Sequence, residues 1–377
     1  DDAKAVYEDL IKQIDSGMLL IKGSVIADNI NIANADIMFH DDKDMWAKFG
    51  NTLKLRLLMH QANRADRQSY ITAEMAKIAA EGSGFLGTGE SASLNPGYAT
   101  DKPNAFYASF GFNAQTGGQA TDFWRANVIA MDTLKFYNDP RLGLFYKPTV
   151  NAFPSGGAEP FTQLSPLTYR GNKYGLPINN VQYPYQIANY VSQVGGISTN
   201  GAATSASTGL TKGYNQPMWI ITSVESMFLQ AEATQRGYIS GSADAAYQAA
   251  IKESFRWLNA GGSLGAADAS FTGWYSNAVS NNTPSISYAS APDKLKLIAF
   301  QKWVAMNATT PLEVWTDYRR NGNYPNIPLS VNPGRTSSTI PYRLLYPQAE
   351  INLNTANVPT IGRSAGDQFT GKIWWMN

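Results

Sequence analysis

The chain has 377 residues, and its 44% hydrophobic and 16% charged content describes a folded, charge-poor protein with a substantial core rather than a disordered one. Lys+Arg 30 against Asp+Glu 29 leaves a net charge of +1, so no global field gathers polyanions or acidic lipid, which argues against nucleic acid as a partner. Cysteine is absent, which removes disulfides, thiol nucleophiles and thiolate metal sites, and His40 and His60 alone give imidazole catalysis little material.

The opening residues predict a helix, with Asp1 or Asp2 placed to cap it and Tyr7, Leu10, Ile11 and Ile14 at i, i+3, i+4, i+7. A second helix follows Asp41, Asp42 and Asp44. These acids lack the glycine and distal glutamate of a calcium hand and read as N-capping residues. Trp46, Phe49, Gly50, Leu53 and Leu57 continue one face of that helix. A third runs from about Ser69 to Glu81 and stops at Gly82. Gly82 to Thr121 then form a segment rich in Gly, Ser, Asn and aromatics, long enough to suggest a functional loop.

A fourth helix is predicted over residues 122–138, ending at the turn Asn138-Asp139-Pro140. Residues 146–217, rich in proline and glycine, read as loops with a few short strands. The clearest helix pair comes next. Val224, Met227, Phe228 and Ala231 share one face, and Tyr247, Ala250, Ile251, Ser254 and Leu258 line the returning one, as in a tetratricopeptide unit. A Gly/Ser/Asn connection holding Trp274 and Tyr275 leads to two more helices, over residues 293–307 and 311–322. In the last, Pro311 stands near N1, Glu313 and the Arg319–Arg320 pair match the helix dipole, and Gly322 supplies the exit.

Three motifs resemble chemistry. Gly82–Gly87 spells the dinucleotide pattern G-x-G-x-x-G but follows a helix instead of a strand. Ser263 lies in G-x-S-x-G, again after a predicted helix and with both histidines upstream. Glu313 and Asp317 share a helix face, as a glycosidase acid pair would, yet Arg319 and Arg320 are close enough to hold Asp317 ionised. His60 reads as a packed or capping residue. No metal site and no cofactor are expected.

Taken in order, the stretches DMWAKFGNTLKLRLLM (Asp44 to Met59), FYNDPRLGLFY (Phe136 to Tyr146), YRGNKYGLP (Tyr169 to Pro177), AEATQRG (Ala231 to Gly237) with AAYQAAIKESFRWL, QKWVAM (Gln301 to Met306), EVWTDYRRNGNYP (Glu313 to Pro325), RLLYPQAEINLN (Arg343 to Asn354) and the terminal KIWW form one series. That series resembles the SusD/RagB family of nutrient-binding outer-membrane lipoproteins, in its SusD-like branch typical of Bacteroidetes. The resemblance implies one SusD-like domain over residues 1–377, mostly α, with tetratricopeptide-like helical pairs as scaffold, long irregular loops and a few short strands. It implies a surface-exposed lipoprotein of the outer membrane that binds an oligosaccharide or other nutrient and passes it uncut to a SusC-like TonB-dependent transporter. The family's lipidated cysteine and leading segment have no counterpart in this sequence, so the chain is expected to lack the family's front. Under this resemblance Arg319 and Arg320 brace helix ends, and Trp303 and Trp315 are core.

The family fixes no ligand residues by motif, so the candidates come from composition. Flat rings cover the C–H faces of sugars while amides bond their hydroxyls. Tyr98, Phe106, Tyr107, Phe110, Phe112 and Trp124 are the candidate platforms, Asn113, Gln115 and Gln119 the hydroxyl partners, and Trp274 and Tyr275 second choices. The competing functions are a glycoside hydrolase using paired carboxylates and a helical-repeat module that binds only protein.

Overall fold

The computed structural model describes residues 2–24, 32–119, 124–176, 185, 187–196 and 201–376. Helix dominates. Along the chain lie α1 (Ala3–Gly23), α2 (Ile32–Ala35), α3 (Lys43–His60), α4 (Gln68–Glu81), α5 (Ala105–Phe110), α6 (Val128–Phe136) and α7 (Leu142–Phe145). There follow α8 (Ser223–Gln235), α9 (Ala243–Trp257), α10 (Leu264–Ser280), α11 (Lys294–Ala305), α12 (Pro311–Arg320), α13 (Gln348–Leu353) and α14 (Asp367–Thr370). Strand β1 (Ala92–Leu94) pairs antiparallel with β2 (Met218–Ile221), Leu94 opposite Met218. Among the described residues no helix is long and apolar enough to cross a membrane.

Short polar side chains begin the long helices by satisfying amides that have no partner within the helix. Asp2 accepts from Lys4 N, Asp42 from Met45 N, Thr222 from Glu225 N, Ser242 from Ala245 N and Asp293 from Lys296 N. Each such cap is worth about 1 kcal/mol. Gly82 ends α4 at φ 85, in the left-handed region that a side chain disfavours.

Helix α8 is the centre of the scaffold because opposite faces of it feed two cores. Val224, Phe228 and Ala231 meet Tyr247, Ala250, Ile251 and Phe255 of α9 in a cluster that α10 and α11 complete. Leu229 and Ala233 turn the other way, joining Ile11 of α1, Leu55, Leu58 and Met59 of α3, and Ile71, Met75 and Ile78 of α4. Helix α3 departs from its predicted single face for the same reason. It is enclosed on two sides, with Trp46, Phe49 and Leu53 packed into a further cluster around Phe39, Leu86 and Ile221. Gly50 allows α1 to come close, since a Cβ there would stand 2.6 Å from the sulfur of Met18.

Three expectations change. The segment carrying Trp274 and Tyr275 is no connection but the 17-residue helix α10. Its Gly, Ser, Thr and Asn content lowers intrinsic propensity, yet Phe271, Trp274, Tyr275 and Ala278 recur at helical spacing and bury against α9, and tertiary packing wins. The fourth predicted helix is shorter at its front. Residues 124–127 are non-helical, Asn127 caps α6, and residues 120–123 lie outside the described residues. The long segment after Gly82 contains β1 and α5.

A buried ion network ties four helices together. Arg320 of α12 donates from Nη1 and Nη2 to both carboxylate oxygens of Glu232 in α8, at 2.7 and 2.5 Å, and from Nε to Asp317 at 2.6 Å. Its Nη1 also reaches the carbonyl of Met59 in α3 at 3.1 Å, and Lys302 of α11 holds the other oxygen of Asp317 at 2.7 Å. Burial alone would raise the Glu232 pKa, but the Arg320 charge and its hydrogen bonds override this and hold it at about 2. Removing one partner of a buried pair strands the other, so Arg320→Met is expected to cost about 3–5 kcal/mol by urea denaturation at neutral pH. Glu232 sits at about 2 when folded against about 4.3 unfolded. Its contribution is therefore complete above the unfolded value and is lost as pH falls toward about 2, and that acid loss should shrink in Arg320→Met.

Candidate functional site

Helix α5 is a six-residue turn capped by Asn104, whose side chain accepts from Tyr107 N at 2.9 Å. The backbone N–H of Asn104 donates to Tyr214 O at 2.7 Å, which seats the turn against the loop before β2. Phe106 and Tyr107 consequently point inward and are buried, whereas Phe110 at the end of the turn is half-buried.

From there a ladder of rings runs from the surface to the core. Trp124, 58% exposed, stands 5.9 Å from Phe110, centroid to centroid. Phe110 lies 4.7 Å from Phe106, Phe106 lies 4.7 Å from Trp219, and Trp219 meets Trp257 edge-on at 5.3 Å. An exposed indole is thus backed by a continuous aromatic pile. Next to it the ammonium of Lys147 sits 4.2 Å over the Phe112 ring and donates to Phe110 O at 3.2 Å. Burial lowers the Lys147 pKa to about 8.

The amides form a rim on a tight turn. Asn113 Oδ1 accepts from Gln115 N and Thr116 N, both at 2.9 Å, and Asn113 N donates to Gly118 O at 2.7 Å. The Asn113 side-chain oxygen is therefore spent on holding the turn, while Gln115 and Gln119 stand exposed. Gln119 Oε1 accepts from Gln193 Nε2 at 3.2 Å. Two polar notches share Gln119 as a wall. One of about 280 Å³ adds Thr100, Asp101, Phe112, Asn113 and Gln115. One of about 130 Å³ adds Arg125, Lys147, Asn189 and Gln193. An exposed ring face beside amide-lined notches can stack on a sugar ring and bond its hydroxyls without supplying a nucleophile.

The structure thus brings Phe112, Asn113, Gln115 and Gln119 together at one notch, and ties Trp124 to Phe110 by ring contact and Phe110 to Phe112 through Lys147. Tyr98 is half-buried and lines neither notch. Trp274 and Tyr275 are corrected to core residues. Trp274 Nε1 donates to Tyr137 O at 3.0 Å, the Tyr275 hydroxyl accepts from Tyr288 N at 3.3 Å, and neither offers a ring face to solvent. Sequence reasoning missed Lys147, Asn189 and Gln193. Backbone bonds bring their strand-like loops alongside, Lys147 N to Gln193 O at 2.9 Å and Ala126 N to Ser192 O at 2.8 Å, and no spacing in the sequence announces such pairing.

The chemical-looking motifs have structural employment. Ser263 caps α10, accepting from Ala266 N at 3.2 Å. In the Gly82–Gly87 stretch, Ser83 N donates to the Glu81 carboxylate at 3.0 Å and no helix follows directly. Glu313 accepts from His60 Nε2 at 2.9 Å, and His60 Nδ1 faces the Tyr7 hydroxyl at 3.1 Å. Burial would raise the Glu313 pKa, but the bond and charge of His60, with Arg56, hold it at about 2. Asp317 likewise is kept ionised, against its burial, by Arg320 and Lys302. Neither carboxyl is a proton donor near neutrality. Arg319 lies 3.5 Å over the half-buried Trp315 ring and donates to Tyr342 O at 2.8 Å, bracing the segment that follows α12.

A SusD-like family model, described as "starch-binding associating with outer membrane", matches residues 1–347. Among solved structures, a chitin-binding SusD homologue from Flavobacterium johnsoniae is 21% identical, with a TM-score of 0.68 over 100% of this chain and 73% of that one. A SusD homologue from Bacteroides fragilis is 21% identical, with a TM-score of 0.70 over 100% of this chain and 76% of that one. An outer-membrane protein of Bacteroides vulgatus linked to nutrient binding is 22% identical, with a TM-score of 0.70 over 100% and 76%. These likenesses bear on the fold. No curated protein matches the chain.

Surface and core rings should separate in stability. Trp124→Ala is expected to cost about 0.5–1.5 kcal/mol, the worth of its ring contact, whereas Trp274→Ala should cost about 3–5 kcal/mol, both by chemical denaturation.

Proposed function

The chain belongs to the SusD-like family, and from that membership we propose that it is a non-catalytic glycan-binding lipoprotein of the outer membrane, which hands its ligand to a SusC-like TonB-dependent transporter. The observation that carries the binding role is Trp124, a large ring left 58% exposed yet backed by Phe110, whose carbonyl accepts from Lys147, a wall of the same notch as Gln119. Exposing an indole costs the apolar burial it would otherwise gain, and a ligand that covers it recovers that term. Support for a binding rather than a cutting role comes from Glu313 and Asp317, both held ionised by basic partners. The transporter and the lipid anchor rest on the family alone.

The chitin-binding relative makes chitin oligosaccharides a natural first probe beside starch and other polysaccharides. By calorimetry or affinity electrophoresis, a glycan that binds the wild type should bind Trp124→Ala more weakly by about 1–2 kcal/mol. Reducing ends should not accumulate. Unchanged affinity in the variant would remove the site, and released product would remove the non-catalytic role.

A further inference from the structure

A second cavity lies away from the Trp124 notches, between the turn after α4, the loop before β2 and the C-terminal half of α9. It holds about 410 Å³, within the range of small-molecule sites. Trp219, Trp257, Leu210, Pro217 and Leu264 give it apolar walls, and Thr88, Ser91 and Ser93 give it hydroxyls. Glu253, Lys212 and Arg256 bring charge.

Glu253 is 2% exposed and only half satisfied. One oxygen accepts from Gly89 N at 2.9 Å and Ser223 Oγ at 2.6 Å. The other, Oε2, is buried without a hydrogen-bond partner among the described residues. A buried carboxylate oxygen without a donor is costly, and a ligand hydroxyl offers the missing bond. The two cations differ. Arg256 is neutralised by a bidentate pair with Asp268, at 2.5 and 2.7 Å. Lys212 has no carboxylate within 4.0 Å among the described residues; its ammonium donates to Trp257 O at 2.6 Å and stands 5.2 Å from the Trp257 ring centre. Burial lowers its pKa to about 8, and a carboxylate nearby would raise it again.

The walls are set in place beforehand. Gln216 fixes the 210–216 loop by accepting from Lys212 N at 2.7 Å and donating to Leu210 O at 3.1 Å, and Trp219 is pinned by its bond to Thr309 O at 3.2 Å. The half-buried Trp257 ring is then the flat surface, with an acceptor and a cation as the polar ends.

We propose that this cavity is a second ligand site, for a sugar that carries a carboxylate, such as a hexuronic acid unit. A ring hydroxyl donates to Glu253 Oε2, the sugar carboxylate accepts from Lys212, and the C–H face lies on Trp257. The sugar class leans on the glycan-binding reading above; the charge selectivity comes from Lys212 alone, and the test keeps the two apart. A free amino acid would also match the charges, but it leaves the indole and hydroxyl lining without purpose.

The probes are methyl glucuronoside, methyl glucoside and alanine, added to the chain described here and followed by ligand-observed NMR and calorimetry. The glucuronoside is expected to bind about tenfold or more tightly than the glucoside, through the charge-assisted bond to Lys212. Lys212→Met should abolish that preference, and Glu253→Gln should weaken both sugars. Thermal melting of each variant checks that it is folded, and Lys212→Met decides the matter if Glu253→Gln is not. Equal binding of the neutral sugar, a preference surviving in Lys212→Met, or stronger binding of alanine would each overturn the proposal. Absence of glucuronoside binding while polysaccharide still binds in a Trp124-dependent way would overturn it and leave the glycan-binding reading standing.

Discussion

The forked bond from Arg320 to Glu232 is the constraint on which the arrangement of helices turns. It joins the last long helix to the central one, and through Asp317 and Lys302 it adds α11, while the Met59 carbonyl adds α3. Hydrophobic burial is non-directional and would tolerate some sliding of α8 between its two cores. A guanidinium with its donors committed to fixed acceptors is directional, so the network fixes the register that burial leaves loose. Such buried ion groups often add little net stability over apolar substitutes, and their role here lies in specifying position.

Positional certainty in the scaffold is passed to the loops through rings. Trp219 of β2 and Trp257 of α9 stack edge-on inside the fold, and Phe106, Phe110 and Trp124 continue outward from them. Each aromatic contact is worth about 0.5–1.5 kcal/mol beyond its area, so the exposed indole is held by a graded series of neighbours rather than by its own loop. A rigid platform loses little conformational freedom when a ligand covers it, which leaves more of the contact energy for affinity. The Glu253–Lys212 cavity borders the inner end of this ladder, where Trp219 and Trp257 form the wall.

Sequence pattern revealed the scaffold better than the surface. The faces of α8 and α9 were legible because Val224, Phe228, Tyr247 and Ile251 recur at helical spacing and one side of each helix is buried. For α3 the single predicted stripe was too narrow, since a helix enclosed on two sides has no clean polar face to read. Helix α10 was hidden by its glycines and small polar residues, whose low propensity is offset only by contacts that a linear sequence does not display. At the candidate face, composition singled out Trp124, Gln115 and Gln119, which remain at the surface, but could not tell them from Tyr107 or Trp274, because burial depends on which way the α5 turn points and on what packs against α10. Lys147 and Gln193 were out of reach, being brought together by loop-to-loop backbone bonds with no periodic signature. The ion network was half legible: the signs of Glu313, Arg319 and Arg320 suited a helix dipole, but the long-range partner Glu232 did not announce itself.

The central claim is that a scaffold locked by Arg320 holds the Trp124 face ready, so that glycan binds to it unchanged and without rearranging the helices. A crystal structure with a bound oligosaccharide tests this most directly. The account predicts an intact sugar chain stacked on the Trp124 ring, hydrogen-bonded to Gln115 or Gln119, with α3, α8 and α12 in the positions described here. A sugar cleaved in the crystal, or seated elsewhere with Trp124 still facing solvent, or α8 displaced relative to α12 on binding, would contradict it.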